Sequence, residues 1–239
     1  MAQYVSSDWG AQQSLEIGDS SHVGEARRIA TRLLGKLDFS DVETAHVALV
    51  ATELATNLLK HAKQGRLILR LLQSVKQFGI EIMALDRGPG MGNVAESLRD
   101  GYSTAGSAGT GLGAVKRLAR EFDIHSMPGK GTAVLARLWS GPHANAAMQF
   151  GVVALPKAGE EISGDGWGVE CLQNRCTCVI ADGLGHGPEA AQAAQAALLA
   201  AHEYSDKAPA EIVERAHGAL RSTRGAALAV GEIDQSNQL

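Results

Sequence analysis

Cysteine is scarce in this 239-residue chain: there are three, Cys171, Cys176 and Cys178, all inside strand-like segments. An odd count in such a place argues against a disulfide framework and fits thiols packed in a sheet within a reducing cytoplasm. No second pair of ligands accompanies them, so a structural zinc site is not expected. A net basic charge is missing as well. A formal net charge of -4 leaves no electrostatic footprint for nucleic acid. No uninterrupted apolar stretch approaches the roughly 18 residues of a membrane-spanning helix. The opening Met1-Ala-Gln-Tyr-Val-Ser-Ser-Asp-Trp9 lacks the basic-then-apolar order of a secretory signal, and the expected location is the cytoplasm.

What the chain does have is three short motifs in a fixed order. They are Glu53-Leu-Ala-Thr-Asn57-Leu-Leu-Lys-His61, Asp86-Arg-Gly88-Pro-Gly90-Met91 and Gly109-Thr110-Gly111-Leu112-Gly113. The first falls in a helix expected from Asp41, as its cap, through His61 to a stop near Gly65. Glu53, Asn57 and His61 recur every fourth residue and form a polar stripe about 80° wide. Most other positions on this helix are apolar or small: Val47, Ala51, Leu54, Ala55, Leu58 and Leu59. A helix buried nearly all round must find partners for such a stripe. Solvent is one candidate, and a hydrated Mg²⁺ carrying phosphates is the other.

Asp86 ends a strand, where its carboxylate can accept from an exocyclic amine such as that of adenine. Gly88 and Gly90 would let the backbone approach a flat ligand, although an ordinary strand-ending turn uses the same residues. Residues 100–113 are rich in Gly, Ser and Thr and deliver the chain to a helix N-terminus. That suits a lid with an anion site at its end. The G-x-G-x-G spacing follows no strand and precedes no Lys-Ser or Lys-Thr, so it is neither a Rossmann fingerprint nor a Walker A loop.

Periodicity supplies the frame around these motifs. It predicts a strand over residues 13–17 and a helix capped by Ser20 or Ser21 and running through Leu33. Strands follow over 66–72 and 79–85, a helix over 112–121, and strands over 123–126 and 132–139 around the turn Pro128-Gly-Lys-Gly131. The pattern breaks near Ser140, which places one domain at 1–140, a linker at 141–149 and a second domain at 150–239. In the second, strands are expected over 152–155, 167–172, 176–181 and 226–233, with helices over 188–201 and 208–220. The fold class is α/β in the α+β sense, helices layered on a mixed sheet, and the second domain differs in order from the first.

On the three motifs together, residues 12–139 resemble the GHKL ATPase superfamily shared by gyrase B, MutL and sensor histidine kinases. The nearest likeness is to the small serine kinases of anti-sigma and stress-switch systems, of the RsbT and RsbW kind. The resemblance implies a Bergerat-type two-layer sandwich binding ATP and Mg²⁺. Glu53 would be the general base for a substrate serine or threonine, and Asn57 would ligate Mg²⁺. Asp86, helped by Thr132, would read adenine beside Gly88 and Gly90. Gly109, Thr110, Gly111, Leu112 and Gly113 would hold the phosphates.

Two further motifs belong to the second domain: Ser163-Gly-Asp165-Gly and Val179-Ile-Ala-Asp182-Gly183-Leu-Gly-His186-Gly187. Read alone, each Asp-Gly pair suits a strand-end turn or a hard divalent cation. With Thr223-Arg-Gly-Ala-Ala they resemble the SpoIIE and RsbX branch of metal-dependent phosphatases. That likeness implies paired Mn²⁺ or Mg²⁺ on Asp165, Asp182 and the Gly183 carbonyl, and assigns no role to His186 or His61. It also implies further aspartates downstream, and after Ala226 only Asp234 is present. The expectation is therefore a partial phosphatase-like sandwich with weak or absent activity.

The function implied is an ATP-dependent protein serine/threonine kinase that phosphorylates a STAS-type antagonist in bacterial partner switching. The alternative is an ATP-gated module that sequesters a sigma factor or regulator with little transfer. Neither nucleic acid nor a membrane is expected as a partner, and a homodimer is left open.

Overall fold

The computed structural model describes residues 3–6, 12–35, 37–62, 65–74, 77–98, 111–141, 151–157, 159–160, 162–172 and 174–234. Gly109, Thr110, most of the expected linker and Phe150 lie outside them. Two units emerge. Unit I is Gln13–Leu72 with Gln77–Ala144, and unit II is Met1–Gln12, Gln73–Lys76 and Asn145–Leu239.

Unit I contains β2 (Gln13–Ile17), α1 (Ser20–Leu34), α2 (Asp41–His61), β3 (Gly65–Ser74), β4 (Gln77–Asp86), α3 (Val94–Ser97), α4 (Gly111–Leu118), β5 (Glu121–Met127) and β6 (Gly131–Trp139). Its sheet has the order β2-β3-β4-β6-β5. One face meets the helices. Leu67 and Leu69 of β3, Ile80, Ile82 and Ala84 of β4, and Val134, Ala136 and Leu138 of β6 share a core with α1, α2 and Val115 of α4. The two-residue period of a strand puts the alternate residues on the other face.

That other face holds an ion network the sequence reading did not foresee. Arg70 Nε lies 2.6 Å from Glu81 Oε1, and Arg137 Nε donates to Glu81 Oε2 at 2.8 Å. Arg137 Nη1 also donates to Glu121 at 2.8 Å, and the Trp139 indole N–H reaches the second Glu121 oxygen at 2.9 Å. Arg137, Glu81 and Glu121 sit opposite one another in the β4–β6–β5 register. Burial opposes the charge on Arg137, but Glu81 and Glu121 together hold its pKa above the ordinary value.

Helix boundaries correct several expectations. Asp19, not Ser20 or Ser21, caps α1: its carboxylate accepts the Ser21 N–H at 2.7 Å. Ser40 caps α2 and Asp41 is already helical, because Glu43 reaches back to the Ser40 N–H at 2.8 Å to close a capping box. The helix expected to run to residue 121 stops at Leu118, where the Arg120 N–H donates to the Arg137 carbonyl and draws the chain into β5.

Unit II opens with β1 (Gln3–Ser6), a strand the sequence reading missed, and continues with β7 (Asp165–Leu172), β8 (Arg175–Gly183), α5 (Pro188–Glu203), α6 (Pro209–Ala219) and β9 (Ala226–Asp234). The order is β1-β7-β8-β9, and every pair in it is antiparallel. Val179 and Ala181 of β8 pack under Ala194, Ala197, Leu198 and Ala201 of α5 and Ile212 of α6. The alanines keep α5 close to the sheet. The strand expected over 152–155 is not formed. Gln12 takes the place of a partner strand there: its amide donates to the Val152 carbonyl at 2.9 Å and accepts the Ala154 N–H at 2.7 Å.

The cysteines depart from expectation. Cys171 and Cys176 form a disulfide rather than packing as thiols. The tight β7–β8 hairpin sets them directly opposite each other, which spacing alone did not reveal. Cys178 is free, and burial pushes its thiol above the ordinary pKa. Among the described residues no helix is long and apolar enough to cross a membrane.

Candidate functional site

The site is built where α2 ends and β4 ends. Thr132 pairs with Asp86 across β6 and β4, and its hydroxyl lies 2.9 Å from Ser126 Oγ. Ser126 in turn accepts the Met91 N–H at 2.8 Å. The Asp86 carboxylate accepts the Gly88 N–H at 2.6 Å. These bonds fix the Asp86–Met91 turn against the β5–β6 hairpin. Ser126 was missed in the sequence, where nothing marks it; only the strand register sets it beside Thr132.

The glycines serve this packing. A side chain on Gly88 would press on the His61 carbonyl at 2.6 Å and on Asp86 Oδ1 at 2.8 Å. Gly90, at φ 67°, lies against the Met127 carbonyl. Close approach of protein backbone thus accounts for both positions. The contact of Gly88 with the His61 carbonyl joins the second motif to the first. His61 is the last residue of α2 and its side chain is exposed. Asn57 and Glu53 lie one and two turns back, about 6 and 12 Å along the axis.

Asn57 carries the telling feature. Its side-chain Nδ2 is buried with no hydrogen-bond partner. Such an atom costs about 1–3 kcal/mol, which a ligand group at this position would recover. A metal-bound phosphate fits it: the amide offers one oxygen to a hard cation or two N–H donors to phosphate oxygens. Glu53 is half-buried on the same face.

The third motif is seen in part. Gly111, Leu112 and Gly113 form the first turn of α4, which packs on α2. The N–H groups of a first helical turn have no partner within the helix and can meet an anion.

A family profile for the histidine kinase-like ATPase domain matches residues 18–138, the run from α1 to β6. The chain belongs to that family. Unit I is its ATPase domain, and the helix-on-sheet architecture is the one the motifs led us to expect. The chain is 34% identical over 114 residues to the serine/threonine-protein kinase RsbT of Bacillus subtilis, covering 48% of this chain and 86% of that one. It is 25% identical over 122 residues to the anti-sigma F factor of Caldanaerobacter subterraneus subsp. tengcongensis, covering 49% and 85%. It is also 30% identical over 90 residues to the phosphoserine phosphatase RsbX of B. subtilis, covering 38% of this chain and under half, 45%, of that protein.

Beyond the ATPase domain, Asp165 at the start of β7 stands directly opposite Asp182 near the end of β8. Both are exposed. The adjoining Gly183 has no room for a side chain, which would strike the Ala190 carbonyl of α5. His186 pairs with Glu160 at 2.5 Å and Arg224 with Glu189 at 3.0 Å. No group of three or more His, Cys, Asp or Glu suited to a metal occurs among the described residues, so this site offers two carboxylates and backbone oxygen only.

Burial raises the pKa of Asp165, and the charge and hydrogen bonding of Asp182 add to the rise. The unfolded chain gives up this proton in the ordinary carboxylate range, whereas the folded chain holds it to higher pH. Between those values the folded state binds more protons, so stability falls as pH rises through the window. Solvent screening keeps the effect small at an exposed pair. Thermal scans in chelator, from about pH 4 to 7, should show unit II weakening with pH. Asp182→Asn should flatten that slope, and an unchanged slope would show that the pair does not interact.

Proposed function

We propose that this chain is an ATP-dependent protein serine/threonine kinase of a bacterial partner-switching system, acting on a STAS-type antagonist in the cytoplasm. Mg²⁺, when bound, would neutralise the triphosphate and the charge that develops during transfer. The chain's residues do the rest. Asn57 orients the metal–phosphate group, and Asp86 with Thr132 and Ser126 holds the adenine edge. Gly109, Thr110, Gly111, Leu112 and Gly113 would hold the phosphates. Glu53 takes the proton of the acceptor hydroxyl. Phosphoryl transfer asks mainly for positioning and charge neutralisation, which this set supplies.

The observation that carries this reading is the orphaned buried Asn57 amide, on one helix face with Glu53 and one turn before the Gly88 contact. Similarity to RsbT supports the transfer step. Asn57→Ala should weaken ATP binding about 10- to 100-fold in calorimetry with Mg²⁺ present. Unchanged affinity would remove the basis of the proposal.

Similarity to the anti-sigma F factor favours a second reading, ATP-gated sequestration of a sigma factor or regulator. Phosphoserine formed on a STAS-domain protein in the presence of ATP separates the two. For unit II, the facing Asp165 and Asp182 and the likeness to RsbX support a phosphatase-like module. Asp165, Asp182 and the Gly183 carbonyl would hold Mn²⁺ or Mg²⁺, which would supply an activated water; with only two carboxylates at this place among the described residues, weak or absent phosphatase activity is expected.

A further inference from the structure

Three polar side chains end the face of the unit I sheet that meets the helices. Alternation carries Ala84 of β4, Val134 of β6 and Ile124 of β5 to the core. Two residues further along β4 and β5, and two residues earlier in β6, the same alternation puts Asp86, Ser126 and Thr132 on that side. The register sets them in one row, Asp86 opposite Thr132 and Thr132 opposite Ser126. All three are half-buried. A polar row at the rim of an apolar face calls for a polar partner.

Valence fixes the protons in this row. Ser126 Oγ has one proton and two lone pairs. It accepts the Met91 N–H at 2.8 Å, lies 3.2 Å from the Gly131 carbonyl oxygen and 2.9 Å from Thr132 Oγ1. The carbonyl can only accept, so it takes the Ser126 proton. Thr132 must then donate its own proton to the remaining lone pair of Ser126. This arrangement alone makes all three contacts hydrogen bonds, and it leaves the Thr132 hydroxyl only lone pairs for anything else that approaches. Asp86 is an acceptor too. One of its carboxylate oxygens takes the Gly88 N–H at 2.6 Å, and the other makes no hydrogen bond to a described residue.

We propose that Ser126 is a positioning residue that sets base specificity. By taking the Thr132 proton it makes that hydroxyl an acceptor beside the Asp86 carboxylate. The row then admits a purine with an amino group at position 6 and turns away one with an oxygen there. An amine brings two N–H donors to two acceptors, whereas a carbonyl oxygen would face lone pairs on both. A Thr132 hydroxyl free to rotate would donate to that oxygen, and the distinction would be lost. This rests on the ATP-binding reading and adds to it how the base is chosen.

Calorimetry with Mg²⁺ and either ATP or inosine triphosphate, whose base carries an oxygen in place of the amino group of adenine, tests this without phosphate transfer. The unaltered chain should bind ATP about 30-fold more tightly or better, and Ser126→Ala should cut that ratio about 10-fold. Ser126→Thr keeps the hydroxyl and should restore the ratio. With Thr132→Val already in place, Ser126→Ala should leave the ratio as it stands, because the group it acts through is gone. A loss of affinity for both nucleotides at constant ratio would make Ser126 a brace for the Met91 turn and overturn the proposal. A further fall in the Thr132→Val background, or no preference for ATP in the unaltered chain, would overturn it as well. If the unaltered chain binds neither nucleotide, the ATP-binding reading falls and this inference with it. Should Ser126→Ala fail to fold, Ser126→Cys decides, since a thiol fills the same place and accepts only weakly.

Discussion

Glu53→Gln is expected to bind ATP as tightly as the unaltered chain and to transfer phosphate to its partner about 10²- to 10⁴-fold more slowly. Glutamine keeps the size of the side chain and an oxygen acceptor, so the half-buried position on α2 is not disturbed. What is lost is the capacity to take a proton. The acceptor hydroxyl must shed one as the new O–P bond forms, and Glu53 shares a helix face with Asn57, the residue proposed to meet the phosphates. Radiolabel transfer under single-turnover conditions, paired with calorimetry for ATP, reads both quantities. Equal transfer rates would strip Glu53 of its role. A joint fall in binding and transfer would make it a binding residue instead.

The second large effect is on stability. Glu81→Ala should destabilise unit I by about 3–5 kcal/mol, because it leaves Arg70 and Arg137 without their shared carboxylate inside the protein. The side chains of Glu81 and Arg70 are 1% and 2% exposed, so water cannot substitute. Removing one member of a buried charge network costs more than the network contributes. Replacing Arg70, Glu81 and Arg137 together by apolar residues should therefore recover much of the loss. Urea unfolding followed by fluorescence reports it, since the Trp139 indole bonds to Glu121 at the end of the same network. A loss below about 1 kcal/mol for Glu81→Ala would mean that the guanidiniums find other partners.

The two findings differ in how far they were legible. The Glu53–Asn57 stripe could be read directly, because a helix places every fourth residue on one face and the rest of α2 is apolar. Asp86 and Thr132 were legible as strand-end residues. Ser126 was not, since it approaches Thr132 only through the β5–β6 register. The Glu81 network was hidden for the same reason: Arg70, Glu81, Glu121 and Arg137 are scattered in sequence and become neighbours only when β3, β4, β6 and β5 lie side by side. Gly88 and Gly90 were legible as required glycines but not for the observed reason, which is the approach of the His61 and Met127 carbonyls.

Unit II shows the same division. Its strands at 165–172, 175–183 and 226–234 follow alternation and lie close to expectation. β1 was invisible because a four-residue strand with no periodicity is defined only by the strand it joins. Val152 and its neighbours have strand composition and lack a strand partner, the Gln12 amide serving in its stead. The Cys171–Cys176 bond depends on a hairpin register that no count of cysteines contains.

By itself the sequence determined the helices, the order of the three motifs and the polar stripe on α2. These are set by contacts between residues a few positions apart, and local spacing encodes them. Only the tertiary structure decided which motif touches which, where the charges of the sheet meet, and that the Asn57 amide is buried without a partner. Those depend on strand pairing and helix docking across many residues, where hydrogen-bond register rather than local preference selects the neighbour.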